Sequence, residues 1–85
     1  MLDALQRLWN HRAKRKDICF EITIDGASRK VFFGKYWSRT KGWIYFVQDG
    51  EYSNQYVYSE QQIVSAIMSV LGTDIYKTQY HIIQR

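Results

Sequence analysis

The sequence predicts an α+β fold: an N-terminal helix, a four-stranded antiparallel meander, a C-terminal helix packed on the sheet and a short final strand. Three observations predict it. Apolar residues recur at spacings of three and four near both ends of the chain, they alternate strictly through residues 18–24, and two Asp-Gly pairs punctuate the middle. Residues 1–85 form a single domain, read as an amphipathic helix with a basic end (1–16), an antiparallel sheet (17–58), a helix (59–72) and a final strand (74–84).

Leu2, Leu5, Leu8 and Trp9 mark one helical stripe, with Asp3 near the positive end of the helix and His11, Arg12, Lys14, Arg15 and Lys16 near the negative end. This predicts a helix over 2–14. DICFEITID then alternates as a half-buried strand, with Ile18, Phe20, Ile22 and Ile24 on one side. Asp25-Gly26 is the pair best suited to a type I′ turn. SRKVFFGKYW and GWIYFVQ follow as strands joined by the polar loop 38–41, and Asp49-Gly50 turns into YSNQYVYS. Ser59 and Gln62 form a capping-box pair ahead of the stripe Ile63, Val64, Ile67, Met68 and Leu71, and Gly72 supplies the stop. DIYKTQYHII alternates again as the last strand.

Composition narrows the function classes. With 46% hydrophobic and 24% charged residues the chain is globular, and without proline or a Ser-, Gly- or Gln-rich tract it has no linker. A single cysteine, Cys19, cannot close an internal disulfide, which predicts a reducing, cytoplasmic setting. MLDALQRLWN lacks the pattern of a signal peptide, and WIYFV is the longest apolar run, so no membrane association is expected. One Cys and two His at 11, 19 and 81 give no metal-ligand spacing, the five glycines stand alone, and no cofactor is predicted. A strand cysteine is usually a small packing residue, so no catalytic residue and no enzymatic activity are expected.

Charge is uneven. Residues 7–41 carry ten Lys or Arg against three acids, a net of +7, whereas residues 42–85 carry a net of −2. That asymmetry points to a polyanionic or acidic partner for the first half.

Residues 31–50, VFFGKYWSRTKGWIYFVQDG, hold seven aromatic residues and three cations, with apolar side chains at both parities. The core face is expected to carry Ile18, Phe20, Ile22, Ile24, Val31, Phe33, Ile44, Phe46 and Val57. The opposite face then carries Glu21, Thr23, Lys30, Phe32, Trp43, Tyr45, Val47, Tyr56 and Tyr58. Gly34 marks a candidate bulge, which leaves Tyr36 and Trp37 unassigned.

Aromatic rings among cations are what non-specific single-strand binding needs: rings stack on bases while cations follow the phosphates. The leading reading is therefore a small cytoplasmic nucleic-acid-binding protein, single-stranded or sequence-independent. Arg12, Lys14, Arg15, Lys16, Lys30, Lys35, Arg39 and Lys41 are the phosphate candidates, and Trp43, Tyr45, Tyr56 and Tyr58 the stacking candidates. The alternative is a protein-interaction module, a small inhibitor or adaptor, whose aromatic face docks an acidic or apolar protein surface or forms a homodimer. A third arrangement has the N-terminal helix covering that face, since its own stripe must be buried somewhere. KGWIYFVQ misses the RNP1 pattern of RNA-recognition domains by one residue of spacing, and the hairpin after the first strand also departs from that fold. The layout is similar to that of dimeric single-strand-binding transcription cofactors, in layout alone.

Overall fold

The structure, a computed structural model, describes residues 2–24, 30–50, 55–72 and 80–85. Helix α1 (Leu2–Asn10) is followed by strands β1 (Ile18–Ile24), β2 (Lys30–Ser38), β3 (Gly42–Asp49) and β4 (Gln55–Tyr58). A 3₁₀ turn (Glu60–Gln62) leads into α2 (Ile63–Leu71), and β5 (Tyr80–Gln84) closes the chain. The Asp25-Gly26 turn, the residues that follow Gly50 and the start of the final strand lie outside the described residues.

All five strands are antiparallel neighbours in one sheet of order β4-β3-β2-β1-β5. The final strand thus joins the far edge beside β1, while α2 packs on β3 and β2. Among the described residues no helix is long and apolar enough to cross a membrane.

Helix α1 stops four residues short of the expected end. In a helix carried on through the basic run, Arg12 would face Arg15 and Lys16 at i,i+3 and i,i+4, like charges that repel. The Arg12 guanidinium instead donates to the free Trp9 carbonyl at 2.7 Å, which satisfies one of the last orphan acceptors of the helix. Within α1, Asp3 and Arg7 form an exposed i,i+4 ion pair at 3.2 Å.

The signals around α2 act as the sequence predicts. The Ser59 N–H donates to Gln62 Oε1 at 3.1 Å, and Gly72, at φ +71°, donates its N–H to the Met68 carbonyl at 2.9 Å. Its buried stripe is Ile63, Ala66, Ile67 and Leu71, with Val64 and Met68 at the margin.

Both helices cover the same face of the sheet. Leu5 and Leu8 of α1 and Ile63, Ile67 and Leu71 of α2 pack with Phe20, Ile22, Val31, Phe33, Tyr45 and Val47. The Phe20 and Phe33 rings, direct cross-strand partners, stack 5.2 Å apart at its centre. Such a pair adds about 0.5–1.5 kcal/mol beyond the area it buries.

The register of β3 corrects the expected assignment of faces. Direct antiparallel partners share a face, and Phe33 pairs with Val47, Lys35 with Tyr45 and Trp37 with Trp43. Trp43, Tyr45 and Val47 therefore lie on the helix-covered side with Val31 and Phe33, and β4 follows, placing Tyr56 with them. Ile44, Phe46 and Val57, expected in the core, lie on the other face. The cause is the β2–β3 turn, where Ser38 pairs with Gly42 at φ +79° and fixes the register.

No bulge exists at Gly34. Pairing runs unbroken through it on both sides, to Cys19 and to Phe46. An added Cβ would fall onto the Ile18 carbonyl oxygen and within 3.0 Å of both Cys19 Cα and the Phe46 ring. The glycine is a seat for its partner's ring, which is how Phe46 is nearly buried on a face that neither helix reaches.

Candidate functional site

The end of the sheet bearing the β2–β3 turn gathers most of the predicted cations. Residues 11–17 return the chain from α1 to Ile18, which pairs with Lys35 near this end. Lys14 Nζ sits 4.3 Å from the centre of the Trp37 ring. Trp37 meets its cross-strand partner Trp43 edge-on at 5.3 Å. Lys35 Nζ lies 4.5 Å from the Trp43 ring and 5.3 Å from the Tyr45 ring. The result is a continuous row of two cations and three rings: Lys14, Trp37, Trp43, Lys35, Tyr45.

His11 braces it. Its ring contacts Trp43 at 5.8 Å, and its Nε2–H donates to the Lys16 carbonyl at 2.6 Å, pinning the basic segment beside the tryptophans. Arg12, Lys14, Arg15, Lys16, Arg39 and Lys41 are all exposed around this end, and Trp37 and Trp43 are half-buried among them. Among the described residues no carboxylate forms an ion pair with these six.

Other predicted residues stand elsewhere. Lys30 is on the opposite face, where its ammonium and the Arg85 guanidinium hold the buried Glu21 carboxylate at 3.3 and 2.8 Å. Tyr45 is only 7% exposed and belongs to the core. Burial, and then the charge of Glu60, push its phenol above the ordinary value, against the opposing effect of Arg12. Tyr56 is exposed, but it pairs with Val47, four residues along β3 from Trp43. The side chain of Tyr58 lies outside the described residues.

Lys35 is the surprise. It is fully buried, and its Nζ has no hydrogen-bond partner. Burial first, and the Arg12 charge second, hold it below the usual lysine value, with Glu60 opposing them. The two rings return about 2 kcal/mol as desolvated cation–π contacts, less than the several kcal/mol that removing an ammonium from water costs.

Trp37 is not among the site residues that the sequence predicts, and His11 enters only as the first residue of the basic run 11–16. The signal for Trp37 was the odd-numbered run Val31, Phe33, Lys35, Trp37, hidden by the bulge expected at Gly34.

The opposite face carries a shallow groove of about 430 Å³ lined by Cys19, Phe32, Phe46, Gln48, Gln55 and Arg85. Arg85 is tied down there by its N–H to the Cys19 carbonyl at 2.8 Å and by its guanidinium over the Phe32 ring at 5.4 Å. Burial, partly offset by Arg85 and reinforced by Glu21, raises the Cys19 pKa, so the thiol stays protonated at neutral pH and is a poor nucleophile. His11 lies on the other side of the sheet from it. Among the described residues no cluster of His, Cys, Asp or Glu could hold a metal.

Fold and site together define a small α+β protein with a basic, tryptophan-bearing sheet end. No protein family, no curated protein and no solved structure matches this chain.

Proposed function

We propose that the chain is a non-enzymatic nucleic-acid-binding protein that engages single strands, or nucleic acid without sequence preference, through the β2–β3 end of its sheet. One observation carries this reading: six exposed cations, none ion-paired to a carboxylate among the described residues, lie at the sheet end that bears two half-buried tryptophans, with Lys14 over the Trp37 ring. Arg12, Lys14, Arg15, Lys16, Arg39 and Lys41 follow phosphates, and bases stack on the accessible parts of Trp37 and Trp43. Tyr45 takes no part, because it is core. Lys30 takes no part either, since Glu21 already holds its ammonium. α2 ends without a basic residue in its last turn and lies against the sheet, so it is no recognition helix for the major groove. The cytoplasm, a reducing compartment, suits the single cysteine.

A titration of tryptophan fluorescence with a short single-stranded oligonucleotide tests the reading. Saturable quenching at low salt, weaker at moderate salt, is the expected result; unchanged fluorescence at low salt overturns it for single strands.

A protein-interaction role is the second reading, and the groove favours it. Val57 and Ile83, 61% and 55% exposed, flank that face. Binding there would depend little on salt, in contrast to phosphate binding.

A further inference from the structure

Strand β4 is one edge of the sheet, and the phase of the ladders fixes which of its backbone groups lack a partner strand. In an antiparallel pair, opposed residues alternate between exchanging both backbone hydrogen bonds and exchanging none. Gly50 donates its N–H to the Lys30 carbonyl at 2.9 Å, in register with the other β2–β3 pairs. The even-numbered residues of β3 therefore bond to β2, and Tyr45 and Val47 turn their N–H and C=O groups to β4. The bond from the Arg85 N–H to the Cys19 carbonyl, at 2.8 Å, gives the same phase from the far side of the sheet. In β4 the inward residues are thus Tyr56 and Tyr58, partners of Val47 and Tyr45. Gln55 and Val57 point their N–H and C=O groups off the edge. Ser59, next at that parity, is already engaged: its N–H donates to Gln62 Oε1 at 3.1 Å, and its carbonyl accepts from the Gln62 N–H at 3.0 Å. Nothing in QYVY defends the edge, since it has neither proline nor charge. Gln55, Tyr56 and Val57 are all exposed.

We propose that the β4 edge docks a second copy of this chain, giving a two-fold dimer whose two sheets join into one. The two-fold axis passes beside Tyr56. Antiparallel pairing there sets Gln55 of each copy opposite Val57 of the other, and every outward N–H and C=O of those residues gains a partner. Tyr56 meets Tyr56 as the closely spaced, non-hydrogen-bonded pair, an arrangement that favours aromatic side chains. Three features select a second copy over a foreign strand. The outward residues are symmetric about Tyr56, so the edge is its own complement. The paired residues are neutral, so no like charges are opposed. Antiparallel order also carries the two basic β2–β3 ends to opposite ends of the dimer, where they do not repel. A two-fold pair is closed, because it uses up both β4 edges. One short strand pair falls below the roughly 1,200 Å² of a stable interface, so association is weak and the chain is a monomer at about 10 µM and below.

The test is the sedimentation mass of the full chain, without oligonucleotide, from about 10 µM to about 1 mM. The wild type is expected to pass from the monomer mass towards twice that mass. Val57→Pro removes one outward donor and places the proline ring against the incoming strand, yet it takes no hydrogen bond from β3, because proline is tolerated where the N–H faces solvent. This variant should stay monomeric throughout the range. Should Val57→Pro fail to fold, Tyr56→Lys decides, since it sets two ammonium groups directly opposite one another at an exposed position. It is expected to weaken association about tenfold. A wild type that remains a monomer at about 1 mM overturns the proposal, as does association that survives unchanged in the folded variants. A mass that climbs beyond the dimer also overturns it, because open-ended pairing of β4 with another edge is then the mode of assembly.

Discussion

Gly34→Ala is expected to destabilise the protein by about 3 kcal/mol or more, the upper range for overpacking a well-packed site. The methyl group has nowhere to go. On one side it meets the Ile18 carbonyl and Cys19 Cα, both backbone, and on the other the Phe46 ring. Phe46 could swing aside, but backbone cannot give without parting β1 from β2 at the middle of the sheet. A domain of this size has a total stability on the order of 4–13 kcal/mol, so the loss is a large share of it. It should appear as a fall in melting temperature of roughly 12–24 °C. An unchanged melting temperature would mean that β1 and β2 do not pair through Gly34 as described.

Tyr45→Ala and Tyr56→Ala should differ sharply, although the two residues lie on one face of adjacent strands. Tyr45 is a core residue whose ring also supports Lys35, and its truncation should cost about 3 kcal/mol, the lower end for removing a buried aromatic ring. Tyr56 is 56% exposed, and truncation there should stay within about 0.5 kcal/mol, as for other surface changes. Denaturant unfolding of the two variants checks this. Similar midpoints would return Tyr45 to the surface and restore the aromatic platform that the sequence alone suggested.

That contrast shows where the sequence stopped being legible. The order of elements, the strict alternation of β1, the Gly72 stop and the stripes of both helices could be read directly, because each is a local signal of period or cap. The face of β3 could not. In WIYFV both parities are apolar: Ile44 and Phe46 look like the core face, whereas Tyr45 and Val47 belong to the helix-covered core and Trp43 packs half-buried against it. The choice is made by the register that the turn at Ser38 and Gly42 imposes on β2, and alternation within β3 carries no record of it. Gly34 misled in a related way. A glycine inside a strand signals either a bulge or a close approach, and only the neighbouring chains decide which.

The site was partly legible for the same reason. The basic run 12–16 and the cations of the β2–β3 turn were visible as charge, but their meeting at Trp37 and Trp43 is a tertiary fact. Lys35 runs against the expectation that lysine is exposed. Its position in strand β2, between Phe33 and Trp37 on the core face, becomes evident only once the bulge is removed.

The salt dependence of single-strand binding bears most directly on the proposed interface. It should be measured for the wild type and for a variant carrying Arg15→Gln, Lys16→Gln, Arg39→Gln and Lys41→Gln. These four side chains are exposed, so the melting temperature should hold. Each phosphate contact contributes about 0.7 to the slope of log K against log salt for a single strand, and the slope should therefore fall by up to about 3. A slope that stays at the wild-type value, or wild-type binding that does not weaken with salt, would contradict the interface.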